Sequence, residues 1–242
     1  MTRAVETNLA MIRHVAQHLG NLRDRVVFLG GAATALLITD QATPDVRITT
    51  DVDLIVEVAS RVDYYHLADS LRNLNFTEDT EEDAPLCRWR IDGIAVDVMP
   101  TTAEILGFSN QWYSQALRCA STVKIAEELV IRVVTGPYFL ATKIEAFYSR
   151  GKGDFLASHD MEDIVTLIDG RPELGNEVNS VDGDVKIFLA HTFEEFLQSR
   201  DFLEALPGHL LPDTSSQQRI PLLLQRLRNI AQSNAERECC NR

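Results

Sequence analysis

The chain has 242 residues, a formal net charge of −13, 45% hydrophobic and 24% charged residues, enough for a real core in one large domain or two modest ones. The acidic balance disfavours broad, nonspecific nucleic-acid binding, which needs Lys and Arg to neutralise phosphates; it fits a protein that gathers divalent cations or meets a basic partner. No apolar run approaches the ~18–20 residues of a membrane span, and the four cysteines (Cys87, Cys119, Cys239, Cys240) contain no C-x-x-C pair, so a reduced, cytoplasmic protein without a zinc pattern, disulfide framework or membrane contact is expected.

Residues 4–19 read as an amphipathic helix, with no apolar leader core and no cleavage signal. His14 and His18 lie four apart on it; with no carboxylate or thiol motif beside them, they read as a solvated helix face. RVVFL (Arg25–Leu29) is a short apolar strand stopped by Gly30-Gly31, and AATALLITD continues as a helix. QATPD (Gln41–Asp45) is a loop. VDLIVEV is a mostly apolar strand and so central in a sheet. DYYHLADSLRNLNF is a helix with Leu67, Leu71 and Leu74 on its apolar side, and the acidic TEDTEEDAP is an exposed loop. CRWRIDGIAVDVM is a hairpin, because Asp92-Gly93 suits a type I′ turn with positive φ at both central residues. LVIRVVT is one more strand. Beyond Gly136-Pro137 the segments YFLATKIEAFYSR, HDMEDIVTLID, VDGDVKIFLAHTFEEFLQSRDFLEAL and SQQRIPLLLQRLRNIAQ all read as helix.

Chemistry gathers on a few residues. Strand side chains alternate between faces, so Asp51 and Asp53 share one face and Val52, Leu54 and Val56 the other. Two carboxylates ~7 Å apart on one sheet edge repel each other, and a hard divalent ion such as Mg²⁺ between them reverses that. A lone D-x-D ends many solvated strands. Here Asp97, an unusual residue inside the apolar IAVDVM, completes a triad if its strand neighbours that of Asp51 and Asp53. Three carboxylates can hold two metal ions for phosphoryl or nucleotidyl transfer. Gly30 and Gly31, between strand and helix, suit close backbone approach to a phosphate; no Gly-Lys-Ser/Thr follows, so this is not a P-loop.

Lys143 and Arg150 are seven apart and share a helix face, with Phe147 between them. They suit a triphosphate or an RNA backbone, or form a surface cation stripe. In SHDMEDIVTLIDGR, Met161, Ile164, Val165, Leu167 and Ile168 make one apolar sector, with Asp160 inside it and Asp163 at its margin. Asp160 is either a carboxylate needing Lys143 or Arg150 as partner or simply the helix N-cap.

Taken in order, GGAAT, RITTDVDLIV, AVDVM, KIEAFYSR and HDMEDIV resemble the AbiEii/AbiGii-type nucleotidyltransferases, a branch of the DNA polymerase β-like superfamily that includes toxins of type IV toxin–antitoxin and phage-defence systems. The match covers residues 25–171. It implies that Gly30 and Gly31 cradle a triphosphate, that Thr49 is the small hydroxyl residue before the first carboxylate, and that Asp51 and Asp53 bind Mg²⁺ or Mn²⁺. It further implies that Lys143 contacts the nucleotide with Arg150 on the same face, and that Asp160 and Asp163 form a D-x-x-D-I motif whose first Asp serves activity. The first motif departs from the superfamily's usual Gly-Ser, leaving Thr34 as the nearby hydroxyl. Asp97 matches the superfamily's third carboxylate.

The expectation is therefore an α+β protein. Residues 1–136 form a nucleotidyltransferase-type mixed β-sheet flanked by helices, and 137–242 a helical bundle that completes the active-site cleft. Its activity is transfer of NMP from an NTP to an acceptor hydroxyl, an RNA such as a tRNA 3′ end, with a cognate antitoxin as partner. The rivals are a small-molecule nucleotidyltransferase of the antibiotic-modifying kind, a noncatalytic nucleotide sensor and a purely structural interaction protein.

Overall fold

The computed structural model describes residues 3–40, 42–43, 46–181 and 183–234. The chain divides into two compact units, Met1–Leu36 with Arg47–Thr135, and Leu37–Val46 with Gly136–Arg242.

The first unit is α+β. In chain order it holds α1 (Arg3–His18), β1 (Val26–Leu29), α2 (Gly30–Leu37, its last residue in the second unit), β2 (Asp51–Val56), α3 (Arg61–Asn73), β3 (Thr77–Glu78), β4 (Arg88–Ile91), β5 (Ile94–Pro100), α4 (Ala103–Leu106), α5 (Tyr113–Arg118), β6 (Ser121–Ala126) and β7 (Leu129–Val133). The strands form a mixed seven-stranded sheet in the order β3-β4-β5-β2-β1-β7-β6. β2 is central, as its apolar run requires: it runs antiparallel to β1 and parallel to β5. Val52, Leu54, Ile55 and Val56 are buried, whereas Asp51 and Asp53 at its start are half-buried. The β4–β5 hairpin turns at Asp92 and Gly93, whose φ angles of 47° and 82° are what a two-residue type I′ turn demands.

One expectation changes here, and further elements appear that the sequence reading did not assign. Thr77–Glu78, read as loop, pairs with β4, and STVKIA forms the edge strand β6 against β7. Neither segment is buried, so neither carries the apolar signature of a strand; backbone pairing defines both. The short helices α4 and α5 also went unread, being too brief for a helical period to show.

The second unit is helical, with α6 (Gly136–Ser149), α7 (His159–Gly170), α8 (Leu174–Ser180), α9 (Asp184–Gln198), α10 (Arg200–Ala205), α11 (Thr214–Gln217) and α12 (Ile220–Ala231). The long helix expected over 181–206 breaks at Ser199, whose hydroxyl accepts from Phe202 N and caps α10. Phe147, Phe155, Phe196 and Phe202 form an aromatic cluster with centroids 5.1–6.0 Å apart. Leu37–Val46 belongs to this unit because it closes the end of α7. Thr39 N and Asp40 N both donate to Gly170 O, and a side chain at Gly170 would strike Ile38. Arg219 adds bonds to Asp169 and Asp40.

No helix among the described residues is long and apolar enough to cross a membrane. Cys87 and Cys119 are free thiols. Cys239, Cys240 and part of the expected loop (Gln41, Pro44, Asp45) lie outside the described residues.

One side chain sets the run-in to β2. Asn8 of α1 is fully buried; its Nδ2 donates to Arg47 O at 2.8 Å and its Oδ1 accepts from Thr49 N at 3.2 Å. Asn8→Ala leaves a buried N–H and a buried carbonyl unpaired, so it should destabilise the protein by about 2 kcal/mol, read as a lower urea midpoint at unchanged slope.

Candidate active site

The register across the sheet decides which side chains meet. Arg88 of β4 stands opposite Asp97 of β5, Asp97 opposite Asp53 of β2, and Asp53 opposite Leu29 of β1. Residues directly opposite share a face, so this row gathers Arg88, Asp97 and Asp53. Asp51, two residues before Asp53, stands opposite the small Ala95. The parallel neighbourhood of β2 and β5 thus brings together the three carboxylates singled out from the sequence.

Arg88 was not foreseen. Its guanidinium grips Asp97 with both prongs, Nε to Oδ1 and Nη2 to Oδ2, each at 2.8 Å, and Nη2 also reaches Asp51 Oδ2 at 3.1 Å. The hydrogen bonds to Asp97 hold the Arg88 pKa well above the ordinary arginine value. A signal for it existed: a two-residue turn at Asp92-Gly93 fixes the hairpin register, and counting back along β4 puts Arg88 opposite Asp97. Beside it, burial and then the Asp97 charge push the Cys87 thiol up to about 12.

Gly30 closes the other side. It follows the last residue of β1 and has φ +73°; a Cβ there would lie 1.7 Å from Asp53 Oδ2. The Asp53 carboxylate occupies the volume that any other residue would fill, so the glycine is required by backbone angle and by contact alike. Gly31 follows it in the first turn of α2. Thr34, three residues further, is buried, and its hydroxyl has no hydrogen-bond partner among the described residues. Thr49 is also buried, and its hydroxyl donates to Asp51 O at 3.3 Å. Both threonines are interior groups, and Thr49 acts on the backbone of Asp51.

The donor set suits a hard divalent ion in type and charge. Three carboxylates gather here with the Arg88 guanidinium, which pairs with Asp97 and also reaches Asp51. Mg²⁺ is commonly held through one or two carboxylates, with substrate phosphates and water completing its shell. The three aspartates do not, however, draw their oxygens to within 4.8 Å of one another. Asp97, expected as a third metal ligand, carries the Arg88 guanidinium on both its oxygens.

In the second unit, Lys143, Arg150, Asp160 and Asp163 form one network. Lys143 Nζ lies 2.9 Å from Asp160 Oδ1 and 2.7 Å from Asp163 Oδ2. Arg150 reaches both oxygens of Asp160, at 2.7 and 2.8 Å. Lys143, Asp160 and Asp163 are buried. Two cations meet two carboxylates, and the network fastens α6 to α7. The N-cap of α7 is Ser158, which accepts from Met161 N, so of the two readings of Asp160 the paired carboxylate is the one realised. Burial by itself raises the Asp160 pKa; the Arg150 hydrogen bonds and the Lys143 charge outweigh it and hold the carboxyl at about 2, below its ordinary 3.8.

No protein-family model matches the chain, and no curated protein does. Among solved structures, the chain is similar to an antigenic nucleotidyltransferase-like protein from Paracoccidioides brasiliensis, at 21% identity over 83% of this chain and 93% of that one, with a TM-score of 0.46. None of these comparisons points to the AbiEii/AbiGii branch, and the reading of the site rests on its own geometry.

Two outcomes follow. Arg88→Ala strands Asp97 beside Asp53 without its cation and should destabilise the fold by about 3 kcal/mol; adding Asp97→Asn should recover part of that loss in a chemical-denaturation cycle. The depressed pKa of Asp160 makes its stabilisation complete above about pH 4 and lost as pH falls toward about 2. Asp160→Asn should therefore be less stable than wild type at pH 7 and lose less stability between those two pH values, as followed by circular dichroism.

Proposed function

We propose that the protein is a Mg²⁺-dependent nucleotidyltransferase, moving NMP from an NTP to an acceptor hydroxyl. The observation that carries this reading is the pairing of Asp51 and Asp53 on one face of the central strand with Gly30 closed directly onto Asp53. What supports it is that carboxylates able to hold a metal stand beside a glycine turn that a phosphate could approach. Asp51 and Asp53 would hold the ion. When bound, Mg²⁺ supplies the positive charge that offsets the triphosphate and the entering hydroxyl. Gly30 and Gly31 offer N–H groups at the start of α2, where the helix dipole favours an anion. Asp97 and Arg88 keep the carboxylate face in place, and Asn8 and Thr49 fix the backbone leading into Asp51. Lys143, Asp160 and Asp163 serve as positioning residues of the helical unit. Rate enhancement on this reading comes from positioning and charge neutralisation.

RNA, with a tRNA 3′ end as its type, is the acceptor proposed, and a cytoplasmic toxin or phage-defence role with a cognate antitoxin goes with it. A second reading is favoured by one observation: the Arg88 fork on Asp97 withdraws a carboxylate that catalysis could use, as a nucleotide sensor without turnover would allow.

The test is transfer of α-³²P label from each NTP, with Mg²⁺, into total RNA, total protein and a panel of small hydroxyl compounds. Label present with wild type and absent with Asp51→Asn and Asp53→Asn supports the transferase and names the acceptor. NTP binding with no label in any pool supports the sensor, and equal labelling by wild type and both variants removes Asp51 and Asp53 from the mechanism.

A further inference from the structure

Away from the carboxylates of β2, a second group of ligand-type side chains assembles. His14 and His18 lie one turn apart on α1, their ring centroids 4.3 Å apart. The β4–β5 turn carries Asp92 up to them, with Oδ2 2.9 Å from His14 Nε2 and 3.4 Å from His18 Nε2. The carboxylate absent from the neighbouring sequence thus arrives from the hairpin. Among the described residues, this is the grouping of three His, Cys, Asp or Glu side chains that puts one donor atom from each within 4.8 Å of the others.

The orientation of His18 is that of a metal ligand. Its Nδ1 lies 2.9 Å from His14 O; a carbonyl only accepts, so Nδ1 carries the hydrogen. In the neutral ring that leaves the lone pair on Nε2, aimed at a carboxylate oxygen that is itself an acceptor. Two acceptors facing each other at 3.4 Å gain nothing unless positive charge, a second proton on the ring or a bound cation, stands between them. A histidine whose far nitrogen is fixed by a backbone carbonyl while the near one points into a shared centre is the usual outer-shell arrangement of metal-bound imidazole.

The spacing fits as well. Nitrogen and oxygen donors at ~2.0–2.1 Å from a tetrahedral Zn²⁺ are about 3.3 Å from one another. The His18–Asp92 separation already matches, and the His14–Asp92 separation needs to open by a few tenths of an ångström, which the exposed Asp92 side chain can supply by rotation. Imidazole nitrogens select borderline ions such as Zn²⁺ over Mg²⁺.

We propose that His14, His18 and Asp92 form a binding site for a single Zn²⁺-class ion, with the fourth position open to water, distinct from the Asp51–Asp53 site. The ion clips the C-terminal end of α1 to the tip of the hairpin whose two strands carry Arg88 and Asp97. Its effect is to stabilise the mounting of the carboxylate face, since α1 also holds Thr49 through Asn8.

The test uses the full chain, stripped with a chelator and dialysed against Zn²⁺ or Co²⁺. Wild type should take up one equivalent of Zn²⁺, show the intense visible bands of tetrahedral Co²⁺, and melt at a higher temperature with Zn²⁺ than without. Asp92→Asn keeps the turn, because Asn accepts the same positive φ, and should weaken Zn²⁺ affinity by about tenfold or more; His18→Gln should abolish the Co²⁺ bands. Asp51→Asn should leave Zn²⁺ uptake unchanged. The proposal is overturned if wild type takes up no Zn²⁺, or if Asp92→Asn, folded by circular dichroism, binds as tightly as wild type.

Discussion

Asp53 and Asp97 stand directly opposite each other on adjacent parallel strands, and like charges in that position repel. The neighbourhood of these strands is organised around that repulsion. Arg88, one strand further along the same row, places its guanidinium on both oxygens of Asp97 and one of Asp51. Gly30, on the other side, gives up its side chain so that the Asp53 carboxylate has somewhere to be. The interior of β2 supplies the anchor: Leu54, Ile55 and Val56 are fully buried, on both faces of the sheet, and a slip of one residue would carry Asp51 and Asp53 to the face of the buried Val52 and Leu54, so the register that creates the conflict is held.

The helical unit meets the same constraint differently. Asp160 and Asp163 are deeply buried and would be untenable as lone charges. Lys143 and Arg150 supply the matching cations, and the charges cancel within the network. At the sheet, one guanidinium serves two of three neighbouring carboxylates, Asp97 and Asp51. The paired network of the helical unit is a fastening between α6 and α7.

The sequence was most legible where a short-range rule governed. Alternation along β2 placed Asp51 and Asp53 on one face, and Asp92-Gly93 announced its hairpin. The apolar sector of α7, with Asp160 inside it and Asp163 at its margin, matches the burial of Met161, Ile164, Val165, Leu167 and Ile168. It was least legible where pairing, and not burial, makes the element. Thr77–Glu78 and Ser121–Ala126 are strands because an edge offered them hydrogen bonds, and their composition does not show it. Ser199 is an instructive case: a capping residue stood in plain view within an apolar period long enough to hide it.

By itself, then, the sequence determined which residues share a face, where the hairpin turns and, through the fixed length of that turn, that Arg88 opposes Asp97. These follow from the twofold period of a strand and the stereochemistry of a two-residue turn, both properties of neighbouring residues. Tertiary structure alone decided that β5 lies beside β2, that Asp53 fills the space at Gly30, that Asn8 pins Thr49, that Leu37–Val46 closes the end of α7, and that Asp92 meets His14 and His18. Each of these joins segments distant in the chain. What brings them together is the burial of apolar surface over a whole unit, which no local pattern of residues encodes.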